Sequence, residues 1–457
     1  MDNSGNYERD LTIAYIGGGS RGWAWTLMTD LALEANLSGT VKLYDLDYDA
    51  AEGNAVIGNR LSGRGDVHGK WKYEAVRTLE QALTGADFVA ISILPGTFRE
   101  MASDVHEPEK YGIYQSVGDS TGPGGLMRAL RTIPMFVEIA EHIQRYSPNA
   151  WVINYTNPMA ICTRTLYETF PGIKALGCCH EVFSAQKLLV KVLKDIANID
   201  GVRRDEIEIN VLGINHFSWI DQASYRGMDL MPLYRSFTDK YYEQGYTEGQ
   251  FGHKDARRVK FDLSRKFGIM AASGDRHSAE FMPLSWYLSS KEKVNSWKFD
   301  LTTVDWRIEQ AALLREKSKR LIAGEEQVTL RPSGEEGVDM MKALLGLGPM
   351  VTNVNVPNKG QMEGLPLGAL VETNAVLARD SLKPVLAGRL PVAVENMVTR
   401  HILNQETILK AGIARDKSLA FQAFLNDPLV AIEPIQAEEL FERMLKNTAA
   451  YLPGWSV

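Results

Sequence analysis

Two predicted strands end at residues of the types that can bind metal ions. Residues 173–177 form a short apolar run that leads into Cys178-Cys179-His180, and residues 208–213 form another that leads to His216. A thiolate and an imidazole together suit Mn, Fe, Co, Ni or Zn. On spacing alone a buried cysteine and a core histidine remain the alternative, because no CxxC or HExxH pair accompanies them.

Other candidate groups lie where predicted elements end. Asp119 is the single acid of a long loop rich in Gly, Ser and Thr, where it serves either a reaction or a turn. Asn157 is held extended by the proline that follows it, which suits a ligand contact as well as an ordinary turn. Asp275, Arg276 and His277 bring acid, cation and imidazole into one stretch. Such a stretch is typical of a site loop or of a solvated loop.

A glycine cluster near the start of the chain follows an apolar run and precedes a helical pattern. Glycines at its first, third and sixth places allow a sharp turn and close approach of a pyrophosphate, which the free N–H groups of the helix would bind. The next predicted strand ends in Asp45, an acid placed to bind a ribose 2'-hydroxyl, which favours NAD over NADP. A glycine-rich turn in another kind of α/β domain is the alternative. The predicted cofactor-binding residues are Gly17, Gly18, Gly19, Ser20, Arg21, Gly22, Asp45 and, in the loop after a later strand, Pro95.

These groups need an α/β scaffold. Apolar strand patterns alternate with helical patterns as far as residue 155, which predicts a Rossmann-type doubly wound parallel sheet. A chain of 457 residues is too long for one ordinary core. We therefore predict a Rossmann-like NAD-binding domain over residues 1–200. A mixed α/β (α+β) domain for metal, substrate and oligomerisation is predicted over residues 201–457.

Composition limits the classes of function. Hydrophobic residues make up 45% and charged residues 23% of the chain, as in globular proteins, and the net charge of -7 supplies no basic field for nucleic acid. No apolar run approaches a membrane span, and the polar start lacks the features of a signal peptide. Three cysteines support no disulfide framework. We expect a cytoplasmic protein that binds small molecules, without nucleic-acid or membrane partners.

Six segments, taken together and in order, resemble glycoside hydrolase family 4 over nearly the whole chain. The wording of residues 114–119 and 178–183 is most similar to the α-galacturonidase branch of that family. The segments that carry the resemblance are residues 16–20, 119–125, 154–159, 177–180, 213–216 and 354–358.

The resemblance implies a redox-neutral glycosidase, one of the exceptions to the scheme with two carboxylates. Bound NAD+ oxidises the C3 hydroxyl, a base removes the acidified C2 proton, the glycosidic oxygen leaves, water adds, and the ketone is reduced again. A divalent metal, usually Mn2+, holds the C2 and C3 oxygens. By motif its ligands are Cys179 and His216. We expect a saccharide substrate and a homodimer or homotetramer.

The resemblance also carries expectations about the substrate. Branches that act on 6-phospho sugars have a Met-Arg pair where Glu100-Met101 stands here, so we expect an unphosphorylated α-galacturonide. Asn157 and Asp119 should reach the sugar or the leaving oxygen, with Asp119 as proton donor.

Two roles remain less closely matched to the family pattern. The C2 base is sought at Asp275 and His277, and the cation that pairs with the uronate at Arg276 or Arg128. An α-glucuronide or α-galactoside substrate, a malate-type dehydrogenase and a noncatalytic NAD-sensing protein remain alternatives.

Overall fold

The computed structural model describes residues 10–247 and 253–455. In its first part, strands and helices alternate. The strands are β1 (Asp10–Ile16), β2 (Ser38–Tyr44), β3 (Lys70–Val76), β4 (Phe88–Ile91), β5 (Trp151–Asn154) and β6 (Lys174–Gly177). The helices are α1 (Trp23–Leu33), α2 (Tyr48–Ser62), α3 (Leu79–Leu83), α4 (Phe98–His106), α5 (Gly122–Tyr146), α6 (Met159–Thr169) and α7 (Glu181–Ala197).

The first six strands form a parallel sheet in the order β3-β2-β1-β4-β5-β6. This is the strand order of a Rossmann fold, so the predicted doubly wound sheet is confirmed. All four residues of β4 are buried, as expected of a central strand that helices cover on both faces. The carboxyl ends of these strands form the edge where such sheets bind their ligands.

The second part of the chain is more mixed. Its strands are β7 (Glu208–Ile214), β8 (Phe217–Tyr225), β9 (Met228–Asp229), β10 (Met270–Ala271), β11 (Met350–Pro357), β12 (Leu370–Ala378) and β13 (Ser381–Pro384). Its helices are α8 (Met231–Tyr241), α9 (Arg258–Phe267), α10 (Asp275–Glu280), α11 (Leu284–Tyr287), α12 (Lys291–Ser296), α13 (Val304–Ala323), α14 (Gly337–Leu345), α15 (Val392–Ala414), α16 (Lys417–Leu425) and α17 (Pro434–Asn447). Among the described helices, none combines the length and the apolar character needed to cross a membrane.

Three strands of the second part extend the first sheet. β11 lies beside β6, with Asn355 opposite Gly177, and the antiparallel strands β12 and β13 follow it. Strands β7 and β8 form a separate antiparallel sheet with β9 and β10. The predicted α+β character of this part is confirmed. The larger sheet takes strands from both sides of residue 200, and the division at that residue stays a prediction.

Two segments that the sequence predicted as loops are helical. Residues 122–125 form the first turn of α5, where the fixed backbone angle of Pro123 is favourable. Residues 275–277 begin α10, and two backbone N–H groups at its start bond carboxylates from distant parts of the chain. Gly274 N donates to Glu181 Oε2 at 2.8 Å, and Asp275 N donates to Asp255 Oδ2 at 2.9 Å. Local sequence patterns cannot predict such distant partners.

A buried ion pair fixes α5 against α4. Arg131 donates from Nη1 to Asp104 Oδ1 at 3.0 Å and from Nη2 to Asp104 Oδ2 at 2.6 Å, and both side chains are buried. Nη1 also donates to Thr448 Oγ1, 2.9 Å away, beyond the end of α17. The pair therefore joins two helices of the first part to the last helix of the chain.

We expect Arg131→Met to lower the free energy of unfolding by about 3–5 kcal/mol, because it leaves the Asp104 carboxylate buried without its partner. Chemical denaturation of both proteins measures the difference. The control is Arg145→Met, which removes an exposed arginine from the same helix and should cost about 0–1 kcal/mol. Equal losses in the two variants would contradict a structural role for the pair.

Candidate active site

A cavity of about 300 Å³ opens where β5, β6 and β7 end. Charged and aromatic side chains from both parts of the chain line it, so its walls combine the carboxyl edge of the parallel sheet with the second sheet. The lining residues are Trp23, Val117, Asp119, Tyr155, Asn157, Met159, Cys178, Cys179, His180, Glu181, His216, His253, Arg276, His277, Thr302, Trp306 and Arg307.

Three of the predicted site residues meet inside this cavity. Ligand atoms of Asp119, His216 and His277 all lie within 4.8 Å of one another. Ser120 Oγ donates to Asp119 Oδ1 at 2.8 Å and lies 3.0 Å from Nδ1 of His216. Nε2 of His216 is therefore the ring atom that remains for a ligand. The two imidazole rings stack with their centroids 3.9 Å apart.

The charges of this cluster depend on one another. Burial alone would raise the pKa of Asp119, but Arg128, His216 and His277 together hold it well below its usual range. Burial alone would also lower the pKa of His277, and Glu181, whose Oε1 lies 3.1 Å from Nδ1 of His277, raises it. Burial and the neighbouring His277 lower the pKa of His216 to about 3, so His216 is the neutral ring. A neutral imidazole is the form that binds a metal ion.

Both vicinal cysteines line the cavity, in different surroundings. Cys179 is buried, and its carbonyl accepts a hydrogen bond from Asn353 Nδ2 at 3.2 Å. Cys178 belongs to the apolar core of the larger sheet. Cys179 lines the cavity with His216 but falls outside the tight cluster, whose third member is His277. Asn215, next to His216, contacts Cys179: burial raises the pKa of this thiol, and a hydrogen bond from the Asn215 side chain opposes that shift.

The structure separates the predicted residues of the 275–277 stretch. Arg276 and His277 line the cavity, but Asp275 does not. Asp275 is fully buried, and its Oδ1 accepts a hydrogen bond from Lys260 N at 3.0 Å. Its Oδ2 has no hydrogen-bond partner among the described residues. The carboxylate thus contacts α9, and a catalytic role for Asp275 stays a prediction.

Of the two predicted uronate partners, only Arg276 lines the cavity. Arg128 lies behind the wall, where its Nε donates to the carbonyl of Asn157 at 3.0 Å. This contact positions Asn157, whose Oδ1 is buried without a hydrogen-bond partner among the described residues. Arg307 also lines the cavity and was missed, because nothing distinguishes it from the other charged residues of a long charged helix. Glu181 was missed as well, although it directly follows the Cys178-Cys179-His180 segment.

The glycine cluster lies at the carboxyl end of β1, and there is no room for a side chain at Gly17, Gly18 or Gly19. A Cβ atom on Gly17 would come within 1.9 Å of the Ser92 carbonyl oxygen, and Gly17 and Gly22 have φ angles of +94° and +125°. Asp45 Oδ2 accepts the N–H of Gly19 at 2.9 Å. The loop is thus tied to the end of β2, as expected for a phosphate-binding turn.

The remaining residues predicted to bind the cofactor surround this loop. Asn54 Nδ2 donates to the carbonyl oxygens of Gly18 and Ser20. Arg21 lies 3.8 Å from Asp47. Pro95 is buried between β4 and α4, at the same edge of the sheet.

Comparison with known proteins gives consistent results over nearly the whole chain. The profile described as "Family 4 glycosyl hydrolase" matches residues 12–195, and that of the "Family 4 glycosyl hydrolase C-terminal domain" matches residues 211–430. The chain is 62% identical over 454 residues to an alpha-galacturonidase of Thermoanaerobacterium saccharolyticum, an alignment that covers 98% of each chain.

Solved structures are similar over the same length. The crystal structure of lplD from Bacillus subtilis is 53% identical, with a TM-score of 0.91, and covers 95% of this chain and 100% of its own. A 6-phospho-alpha-glucosidase from gut microorganisms, solved with NAD and Mn2+, has a TM-score of 0.81 at 18% identity. That match covers 98% of this chain and 100% of the other, and it concerns the fold.

The two cysteines provide a direct test of which residues hold a metal ion. We expect Cys179→Ser to weaken Mn2+ binding by about 10–100-fold, the range seen when a site loses a supporting group, and His216→Gln to weaken it at least as much. Cys178→Ser is the matched control and should bind Mn2+ like the parent, because Cys178 packs in the core. Metal titration of the three metal-free variants measures this. A weakened Cys178→Ser beside a normal Cys179→Ser would shift the ligand by one residue.

Proposed function

Because the chain belongs to family 4 of the glycosyl hydrolases, we propose that it releases galacturonic acid from α-galacturonides with the help of bound NAD+ and Mn2+. The observation that carries this proposal is a single cavity in which a cluster of metal-type ligands lies with Arg276. The 62% identical alpha-galacturonidase supports the choice of substrate. Small pectin-derived oligosaccharides are the proposed source of that substrate.

The residues present fit both cofactors. For the dinucleotide, the absence of side chains at Gly17 and Gly19 lets the turn pack against Ser92 and Asp45, and Asp45 ties this turn to the end of β2. For the metal, Cys179 and His216 offer a soft and a borderline donor in one cavity, and the Asp119 carboxylate beside His216 offers the harder oxygen that Mn2+ prefers. When bound, NAD+ accepts a hydride from the sugar and the metal ion polarises the sugar oxygens as a Lewis acid.

The chain's own residues would orient the sugar and move protons. Asn157 presents an unpaired carbonyl oxygen to the cavity, held there by Arg128 through the backbone. His277 is tied at Nδ1 to Glu181, which favours the protonated ring and leaves Nε2 for the substrate. Asp119 is ionised in the substrate-free protein and does not fit the donor role expected from the sequence, and a carboxylate whose pKa is held so low is also a weak base. We therefore propose His277 as proton donor, with the Asp119 carboxylate stabilising its protonated ring.

A substitution at Asp45 tests the dinucleotide site. We expect Asp45→Ala to weaken NAD+ binding several-fold, because the charged acceptor for the ribose is lost together with the contact to Gly19. Asp49→Ala, which removes an exposed acid from the first turn of α2, is the control. Equilibrium titration with NAD+ compares them, and parental affinity in Asp45→Ala would contradict the assignment.

The substrate is tested with chromogenic glycosides in the presence of NAD+, Mn2+ and a thiol. We expect kcat/KM for p-nitrophenyl α-galacturonide to exceed that for the matching α-galactoside by about 100-fold or more, because an arginine facing a neutral group loses its partner. Absorbance of NADH should not accumulate while sugar is released. A preference for the α-galactoside or α-glucuronide would refute the proposed substrate, and NADH formed in step with product would indicate a dehydrogenase.

A further inference from the structure

We propose that Arg307, acting with Arg276, binds the carboxylate of the substrate and thereby selects uronates over neutral sugars. The inference rests on the proposed function and adds to it a specificity residue that sequence patterns did not reveal. Both arginines line the cavity that holds the Asp119, His216 and His277 cluster.

Arg307 reaches the cavity from the start of a helix. It lies in the first turn of α13, which Thr303 caps by accepting the N–H of Trp306 at 3.3 Å. Its Nη2 donates to the carbonyl of Val117 at 2.8 Å, two residues before Asp119. Its Nε is buried and has no hydrogen-bond partner among the described residues. A buried guanidinium nitrogen without an acceptor is costly, so a ligand oxygen at this place would satisfy it.

Arg276 is anchored to the same part of the wall. Its Nη1 donates to Thr302 Oγ1 at 2.5 Å, and its carbonyl accepts the hydroxyl of Ser116 at 2.5 Å. Thr302 N donates to the carbonyl of Ser116 at 2.8 Å, so the two segments that carry these anchors are joined. Each guanidinium is therefore held by one donor, while its other donors remain for a ligand.

The guanidinium groups of Arg276 and Arg307 give this part of the wall a positive charge that attracts an anion. Among the ion pairs of the described ranges 10–247 and 253–455, neither Arg276 nor Arg307 has a carboxylate within 4.0 Å. A planar carboxylate accepts paired N–H bonds from a guanidinium fork, and such bonds are about twice as strong as those between neutral groups. Asp119, in the same cavity, balances part of the charge of Arg307, and a neutral CH2OH group would leave the remaining donors of the two guanidinium groups without an acceptor.

The pair Glu100-Met101, which stands where the phosphate-binding branches are expected to have Met-Arg, serves the packing of α4 instead. Glu100 Oε2 accepts the N–H of Thr97 at 2.9 Å and its hydroxyl at 2.6 Å, which caps α4. Glu100 does not line the cavity. Arg276 and Arg307 are therefore the two arginines of the described wall, and a ring carboxylate is the anion that they would bind.

The test compares p-nitrophenyl α-galacturonide with the matching α-galactoside in wild type, Arg307→Met, Arg307→Lys and the control Arg315→Met. Arg315 is an exposed arginine of the same helix. We expect Arg307→Met to lower kcat/KM for the galacturonide by about 10–100-fold, as for hydrogen bonds between charged groups, and to change that for the galactoside by less than about threefold. Arg307→Lys keeps the positive charge but loses the paired N–H donors of the guanidinium. Its ratio of kcat/KM for the galacturonide to that for the galactoside should therefore be intermediate. Arg315→Met should match the wild type.

Binding of the free sugars provides a second readout. Galacturonate should inhibit Arg307→Met more weakly than wild type, while NAD+ affinity and the melting temperature stay unchanged. If the wild type prefers the galacturonide and Arg307→Met keeps the same ratio of kcat/KM values for the two substrates, carboxylate binding by Arg307 is wrong, while the proposed function stands. Equal losses of kcat/KM for both substrates would also overturn carboxylate binding by Arg307, because they would indicate a structural role. A wild type without preference for the galacturonide would overturn the proposed function, and with it the proposed role of Arg307.

Discussion

The buried charge of Asp119 is the constraint around which the site is built. A carboxylate with only 8% of its surface exposed loses most of its hydration, and it stays ionised only because positive groups surround it. Arg128 is the largest of these influences, and it projects from α5, the helix that begins three residues after Asp119. The ionised state of Asp119 therefore depends on the position of α5. The helix is positioned in turn by the buried pair of Arg131 and Asp104.

The loop before Asp119 is held by a second buried acid. Glu280 Oε1 accepts the N–H groups of Val117 and Gly118 at 2.8 and 2.9 Å. Glu280 ends α10, the helix that also presents Arg276 and His277 to the cavity. One short helix thus fixes the backbone near Asp119, places a cation in the wall and supplies an imidazole. This explains why residues far apart in the chain form one compact cluster.

The parts that sequence alone predicted are those whose causes are local. The turn at Gly17, its strand and helix, and Asp45 follow from steric needs of neighbouring residues, and the structure has them as expected. The roles of Asp119 and His216 were expected from the family resemblance and that of His277 from the charged stretch around it, because nothing local joins residues so distant. The contact of Asp275 could not be predicted, because its partner, the backbone of Lys260, belongs to another helix. The place of β11 beside β6 likewise depends on pairing across the whole chain.

If this cavity breaks glycosidic bonds by oxidising and restoring the sugar, hydrogen from the solvent must enter the product at C2, and isotope incorporation measures it. An α-galacturonide is incubated in D2O with the protein, NAD+ and Mn2+, and the released galacturonate is analysed by NMR and mass spectrometry. We expect one non-exchangeable deuterium at C2, because the proton removed there is replaced from solvent, with no net formation of NADH. Released galacturonate that keeps its original hydrogen at C2 would rule out this route.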